Sequence, residues 1–558
     1  MLATIKRLIC LYLVSGISEG NHKAVASPEG RRSGAPKLSI LELNKEYMKR
    51  LFGLETEYGI TIDGVDKMDV VEESMQLIRC YQQGDFVPLW DYQLENPRKD
   101  VRGFEVDELL NDTDEKVHLQ KDRKRKIPFK ELKSDLIIYN GARFYNDHTH
   151  PEYSTGECLS LFELVAQDRA GERIVDICAR RRTEMIADGT VRMYKNNTDF
   201  EGHSYGCHEN YLMDRSVPFE RIVKGLLPFF ATRQIYSGAG KMGVERGDRA
   251  RLYQLSQRSE FFEVIASVDT MHKRPLVNTR DEPHANADRH RRLHVIVGDS
   301  NMSEYITALK VGTAALAVEL IERDILPDIT LKDPIAALKN IARDQSYQWL
   351  VEIDRKSDRL VPAVEIQRAY LELASKHFSG EDKETDWVLN AWEDVLNGLE
   401  SDPMGLVGTV DWVTKKWLLD CFCESEGLHL ENSDDLVWLQ SQDLEYHNVD
   451  REEGLYNLLE TQGRMVRLVE DDEIARAMST PPKDTRAYFR GGCLEKYGSD
   501  VKSINWDRIV FSTNGKQRSV DLKDMVDPEK VKRYNEVLDQ SDTLEDFLDA
   551  IYAQCKDL

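Results

Sequence analysis

The amino-acid sequence predicts an α+β protein, and three observations carry that expectation. Apolar runs with two-residue alternation recur between residues 51 and 298, separated by stretches of helical, 3.6-residue periodicity. The stretch 334–425 reads as mostly helical. A last strand among helices then follows the turn-rich Ser479-Thr480-Pro481-Pro482.

Taken in order, residues 1–47 come first. Lys6 and Arg7 precede the apolar run Leu8 to Val14, which is too short to span a bilayer and is followed by no convincing small-residue cleavage site. With 19–37 polar and rich in Gly, Pro and Ser, this stretch is expected to be a flexible extension, and Met48 would make a natural start. A large domain is expected over 48–478 and a small C-terminal domain over 479–558. Residues 51–61 (LFGLETEYGIT) read as a strand and 67–82 as a helix. From about 95 to 135 the pattern dissolves into mixed charge, which predicts a long insertion loop. Its KDRKRK cluster reads as a solvated face. Strand character returns at 136–147. Helix 159–185, strands 189–196 and 204–213, helix 218–236, strands near 251–256 and 291–298, and helix 303–324 follow. Helix 485–497, strand 506–512 and amphipathic helices complete the C-terminal part.

With 558 residues, 41% hydrophobic and 8% aromatic, the chain has enough apolar material for a sizeable core. Its formal charge of −24 opposes the long-range positive field of a general nucleic-acid binder. Nine cysteines are scattered, and only Cys421 and Cys423 are close. A C-x-C without a second pair is no zinc site, so reduced thiols are expected.

Four segments carry polar side chains where a core would carry aliphatics. In Glu55-Thr56-Glu57 strand alternation puts both carboxylates on one face, where a hard cation such as magnesium would relieve their repulsion. In NGARFYNDHTHPEYSTGE (140–157), Asn140-Gly141 is a turn, after which Arg143, Tyr145 and Asp147 share a face and Phe144 and Asn146 the other. Glu152 is expected just past the strand end. In YKNNTDFEGHSYGCHENYL (194–212), Ser204, Gly206, His208 and Asn210 align. In NTRDEPHA (278–285), Arg280, Glu282 and His284 would alternate if extended, although Pro283 argues for a bend. Singly, each of these suits a surface ion pair or a structural histidine; together they describe a reaction face. No P-loop, Rossmann fingerprint, kinase set, G-x-S-x-G elbow or H-E-x-x-H motif is present. A nucleotide would therefore lie on a sheet face.

These segments, with DRAGER, LSQR, RRLHVIVGDSNM, LKVGT and PPKDTRAYFRG, resemble the family of ligases and deamidases of the prokaryotic ubiquitin-like protein Pup, from about residue 48 onward. The resemblance implies a glutamine-synthetase-like (carboxylate-amine ligase-like) fold, with a curved, mainly antiparallel sheet backed by helices and a small C-terminal domain. It implies ATP, or ADP plus phosphate, with magnesium as cofactors, and a cytoplasmic location. The implied partners are a small disordered Pup-like modifier and its lysine conjugates, with a functional link to the bacterial proteasome and neither nucleic acid nor membrane. Carried over by position, Asp147 is the catalytic aspartate. Glu55, Tyr145, Glu152, His208 and His284 match metal-site positions, and Arg143, Ser154, Thr155, Asn210 and Trp506 match nucleotide contacts. The insertion with NPRKDVRGFEVDEL, and the form of DHTHPEYS, GLYNLL and DTRAYFRGGCLEKYG, resemble the deamidase and depupylase branch. Asn146 departs from the family's aliphatic tendency. The implied reaction is deamidation of a C-terminal glutamine and cleavage of the modifier–lysine bond, with Asp147 as nucleophile or base. Ligation, or silent binding of the modifier, are the alternatives.

Overall fold

The computed structural model describes residues 48, 50–65, 67–82, 86–110, 113–243, 245, 252–354 and 359–554. Residues 1–47, with Cys10, and the terminal Cys555 lie outside them.

Strand β1 (Phe52–Glu57) shows how one strand makes two surfaces. Phe52, Leu54 and Thr56 are buried in the core, while Gly53, Glu55 and Glu57 face the opposite side. β1 ends at Tyr58, so the expected strand 51–61 is two strands in two sheets. Tyr58 is fully buried and its N–H donates to Pro151 O at 2.9 Å; β2 (Gly59–Ile62) then pairs with β6 (Val191–Tyr194). β1 sits near the middle of a six-stranded sheet with β3 (Leu136–Ile137), β4 (Arg143–Asp147), β5 (His150–Ser154), β7 (Cys207–Asp214) and β10 (His290–Val295). The order is β10-β7-β1-β5-β4-β3, and every pairing is antiparallel. A separate parallel pair, β8 (Phe262–Ser267) with β9 (Arg274–Asn278), is not evident from the apolar pattern.

The apolar face of the sheet is covered by helices. α1 (Val70–Arg79) lies against β4 and β5. α4 (Leu161–Met185) starts at Ser160, whose side chain accepts from Glu163 N. α5 (Glu304–Glu322) is buried at every position from Glu304 to Val318, as a helix apolar on all sides must be. The stretch 334–425 is helical as expected, apart from a hairpin of Leu350–Ile353 with Arg359–Pro362.

The region read as an insertion loop contains two helices, α2 (Thr113–Arg125) and α3 (Phe129–Lys133). Charge along α2 hides its helical nature, because it offers no apolar stripe to recognise. The basic cluster forms its last turn, where Arg125 pairs with Asp69 at 2.6 Å and Asp122 at 2.9 Å. Among the described residues no disulfide is formed, and no helix is long and apolar enough to cross a membrane.

Residues 489–551 build a hydrophobic cluster of their own, around Phe489, Phe511 and Phe547, which takes in Trp90 and Ile137. It is tied to the sheet through Glu157, which accepts from Arg486 Nε at 2.6 Å and Arg490 Nη2 at 2.7 Å. Arg490 also donates to Gly141 O at 2.7 Å. Gly141 has φ +78°, and a Cβ there would stand 2.6 Å from Ala487 O, so the turn needs glycine. Burial would raise the Glu157 carboxyl, but Arg490 and Arg486 outweigh it and hold it at about 2. A depressed carboxylate stabilises the fold above its unfolded value and loses that contribution as pH falls through its folded one. Between pH ~4.5 and ~2 about 3 kcal/mol of this anchoring is therefore expected to vanish. Urea unfolding followed by Trp506 fluorescence, compared with Glu157→Gln, checks this. Equal acid sensitivity in both proteins would refute it.

Candidate active site

Strand register brings the polar residues side by side. Glu55 stands opposite His208 on one flank and Ser154 on the other. Glu57 is opposite Glu152, and Glu152 is opposite Tyr145. His294 is opposite Asn210, and Asp147 opposite His150. Neighbours in such pairs have Cβ atoms ~5 Å apart, within reach of long side chains. Glu152 is thus not past the strand end. The chain reverses at His148, whose φ is +53°, and β4 and β5 form a hairpin. As expected, Phe144 is fully buried on the far side of β4. Asn146 is also buried there, accepting from Ser74 Oγ at 2.8 Å and donating to Leu132 O at 3.1 Å. The polar partners explain why an amide is tolerated at that position.

Two groups of metal-type donors result. In the first, the donor atoms of Glu55, His208 and His294 lie within 4.8 Å of one another. Glu55 is 3.3 Å from His208 Nδ1, 3.4 Å from His294 Nε2, and accepts from Asn210 Nδ2 at 2.9 Å. Burial would raise its pKa, yet His208, His294 and Arg292 hold it well below the usual range. Burial and Arg292 push His294 down to about 3, leaving a neutral imidazole. Its Nδ1 has no hydrogen-bond partner among the described residues.

In the second group, Glu57, Asp147 and Glu152 bring carboxylate oxygens equally close. Burial and the neighbouring Asp147, Glu55 and Glu57 push Glu152 well above the usual carboxylate range, against the hydrogen bond from Tyr145 Oη at 2.7 Å. Carboxylates this crowded retain a proton or take up a cation. Hard oxygen donors of this kind fit magnesium. Glu57 is held by Gly206 N at 2.7 Å. A Cβ at 206 would stand 2.3 Å from His208 Nε2, so any larger residue there would displace that imidazole.

Asp147 stays ionised. Burial would raise it, but Lys133, His148 and Arg143 depress it below the ordinary range. Lys133 Nζ donates to Asp147 Oδ1 at 2.8 Å, and His148 Nε2 is 3.9 Å from Oδ2. Arg143 is committed to Asp135, at 2.9 and 2.6 Å, and its guanidinium lies 3.8 Å from the ring centres of both Trp90 and Tyr145. It locks the end of the insertion to β4, the strand that carries Asp147.

Two adjoining cavities open on this face. The smaller, of about 600 Å³, is lined by Gly53, Ser154, Thr155, Asn210, His284 and Trp506, among others. The larger, of about 1600 Å³, contains Glu57, Tyr145, Asp147, Glu152, His208 and His294. Glu55, Ser154, His284, Arg292 and Trp506 border both. All the sequence-predicted residues therefore line one continuous site. His284 belongs to neither donor group; it sits in a bend with φ +46°, 3.8 Å from Asp507. Thr155 Oγ1 accepts from Leu54 N at 3.1 Å, and Trp506 packs edge-on against Trp90. Sequence reasoning misses His294 as a donor, although it alternates with Arg292 on one strand. It also misses Lys133, for which no local pattern exists.

A family model described as Pup-ligase protein matches residues 50–510. The chain belongs to the Pup ligase family. Over 84% of its length it is 42% identical to a depupylase of Acidothermus cellulolyticus, covering 92% of that protein. It is 38% identical to the Pup deamidase/depupylase of Mycolicibacterium smegmatis, again over 84% of this chain and 92% of that one. A Pup–protein ligase of Acidimicrobium ferrooxidans is also 42% identical, but over 70% of this chain and 86% of the ligase. The crystal structure of the Pup ligase PafA in complex with Pup superposes with a TM-score of 0.71 at 33% identity, covering 90% of this chain and 96% of that one. PafA in complex with ADP gives 0.65 at 36% identity, covering 78% and 97%. The family's glutamine-synthetase-like fold is the α+β architecture anticipated from the resemblance, with its antiparallel sheet backed by helices.

Proposed function

We propose that this protein is a depupylase and Pup deamidase, hydrolysing the bond between the modifier's terminal side-chain carbonyl and nitrogen. One observation carries the choice of branch. At equal identity, the depupylase aligns along 84% of the chain and the ligase along 70%. The cytoplasm, and a place upstream of the bacterial proteasome, follow from the same reading.

The smaller cavity suits a nucleotide, for which Trp506 and the Gly53 backbone would receive a base and Ser154, Thr155, Asn210 and Arg292 would offer polar contacts to phosphates. Glu55, Glu152, His208 and Tyr145 would hold magnesium, joined by Glu57 and His294, with His284 at the mouth. Magnesium would supply the positive charge that balances both the carboxylates and the nucleotide phosphates, in a reaction that conserves no ATP energy. Asp147, in the larger cavity, faces the incoming carbonyl. In this reading Asp147, an ionised carboxylate lining the larger cavity, attacks the carbonyl carbon directly. The carbonyl carbon forms a bond to an Asp147 oxygen as its bond to nitrogen breaks, and the departing nitrogen takes a proton from solvent, which the later hydrolysis returns. Water then splits the acyl group from Asp147. Arg280, on the cavity wall, would stabilise negative charge developing on the carbonyl oxygen.

The test is an assay on a modifier–lysine conjugate with and without nucleotide and magnesium. Release of intact target and free modifier, dependent on both, is the expected result. Accumulation of new conjugates would assign the chain to ligation.

A further inference from the structure

Of the charged groups around the cleft, the proposed mechanism leaves the Lys133 ammonium without a task. It contacts the reactive carboxylate directly, at 2.8 Å, and its side chain is only 16% exposed. Its place is built from both sides. Leu132 O accepts from Asn146 Nδ2 at 3.1 Å, Ser134 Oγ accepts from Arg79 Nε at 3.2 Å, and Asp135 is gripped by Arg143 at 2.6 Å. Ser134 adopts φ +45°, a left-handed kink that turns the chain immediately after Lys133. Two of these anchors, Arg143 and Asn146, belong to the strand that carries Asp147. The end of the insertion is thus registered to the catalytic residue, and its lysine enters the cleft as a consequence.

The chemical identity of that group matters. Cleaving an isopeptide leaves a lysine amine, on a four-carbon stem, beside the residue that attacked the carbonyl. Lys133 presents the same group on the same stem to the same oxygen. We infer that Lys133 occupies the subsite of the target lysine's amine. It is a built-in stand-in that withdraws when conjugate binds and returns once the bond is cut. This inference rests on the depupylase reading.

The consequence is a choice of acceptor. An amine at that subsite would take the acyl group, breaking the bond to Asp147 and forming a new amide. The proton lost by the incoming amine balances the one gained by the departing lysine, and no further reactant is needed. An occupant tethered to the protein competes at an effective concentration of roughly millimolar. Lys133 enters the subsite as an ammonium, which has no lone pair to attack the acyl group, so it keeps neutral amines out and leaves the acyl group to water.

The full-length protein and Lys133→Met, which keeps most of the stem without the charge, are compared on a conjugate with nucleotide, magnesium and Nα-acetyl-lysine. The readout is the ratio of modifier attached to Nα-acetyl-lysine to modifier released free. The ratio is expected to rise about tenfold or more in Lys133→Met, and to stay low in Lys133→Arg. An unchanged ratio overturns the inference. Should Lys133→Met cleave nothing, calorimetric binding of Nα-acetyl-lysine decides: tighter binding than to the unsubstituted protein supports the assignment, and equal binding refutes it. If the unsubstituted protein itself cleaves no conjugate, the depupylase reading falls, and the same binding measurement still judges Lys133.

Discussion

Asp147→Asn is expected to lower conjugate cleavage by on the order of 10³-fold or more while nucleotide affinity in excess magnesium stays within a few-fold of the original. The side chain keeps its shape but loses the oxygen anion that attacks the carbonyl, and no carboxylate beside it can substitute. Glu152 is engaged by Tyr145 Oη at 2.7 Å and assigned to the cation, and Glu57 is tied to Gly206 N. Nucleotide affinity is spared because Asp147 lines only the larger cavity, whereas Ser154, Thr155 and Trp506 line the smaller one. Single-turnover cleavage and fluorescent-nucleotide binding measure the two quantities separately. Cleavage near the original rate would remove Asp147 from the centre of the mechanism. A parallel collapse of nucleotide binding would instead place it in the nucleotide site.

Glu55→Ala is expected to have the second largest effect, and of a different kind. Glu55 stands where the two cavities meet and neutralises Arg292 while contacting Asn210, His208 and His294. Without it one donor group loses its only carboxylate, and Arg292 keeps only the more distant Glu282 carboxylate, at 4.0 Å. The magnesium concentration needed for half-maximal cleavage is expected to rise by at least about 10²-fold, because even outer partners of a metal site are worth 10–100-fold. Stability should change little, since the side chain borders open space rather than core. A magnesium titration of the cleavage rate checks the first statement and thermal unfolding the second. An unchanged magnesium requirement would exclude Glu55 from the cation site.

Much of this site is legible in the amino-acid sequence, and for one reason. Strands alternate with a period of two, so Glu55 with Glu57, His208 with Asn210, and Arg143 with Tyr145 and Asp147 fall on shared faces by spacing alone. The same rule puts Phe144 and Asn146 on the other face, where they are found. The rule says nothing about which strand lies beside which. His294 escapes notice although it sits on a recognised strand, because only the β10–β7 register sets it against Asn210 and within reach of Glu55. The bend at His284 follows Pro283, and it withholds that histidine from both donor groups.

Local sequence also fails where it lacks apolar periodicity. α2 is a helix of nearly all charged and polar residues, so it reads as part of a long insertion loop. In the folded protein the insertion ends by aiming Lys133 at Asp147, through contacts from Arg79, Arg143 and Asn146 to three residues around it. The amino-acid sequence alone thus supplies an inventory: α+β elements, acidic and histidine-bearing strand faces, and the resemblance to a family. Adjacency comes from the folded chain: which metal-type donors come together, which cavities join, and which lysine meets Asp147. Alternation along a strand is a property of neighbouring residues. Strand order and the path of an insertion are settled by contacts among residues far apart in the chain, and no short stretch of sequence encodes them.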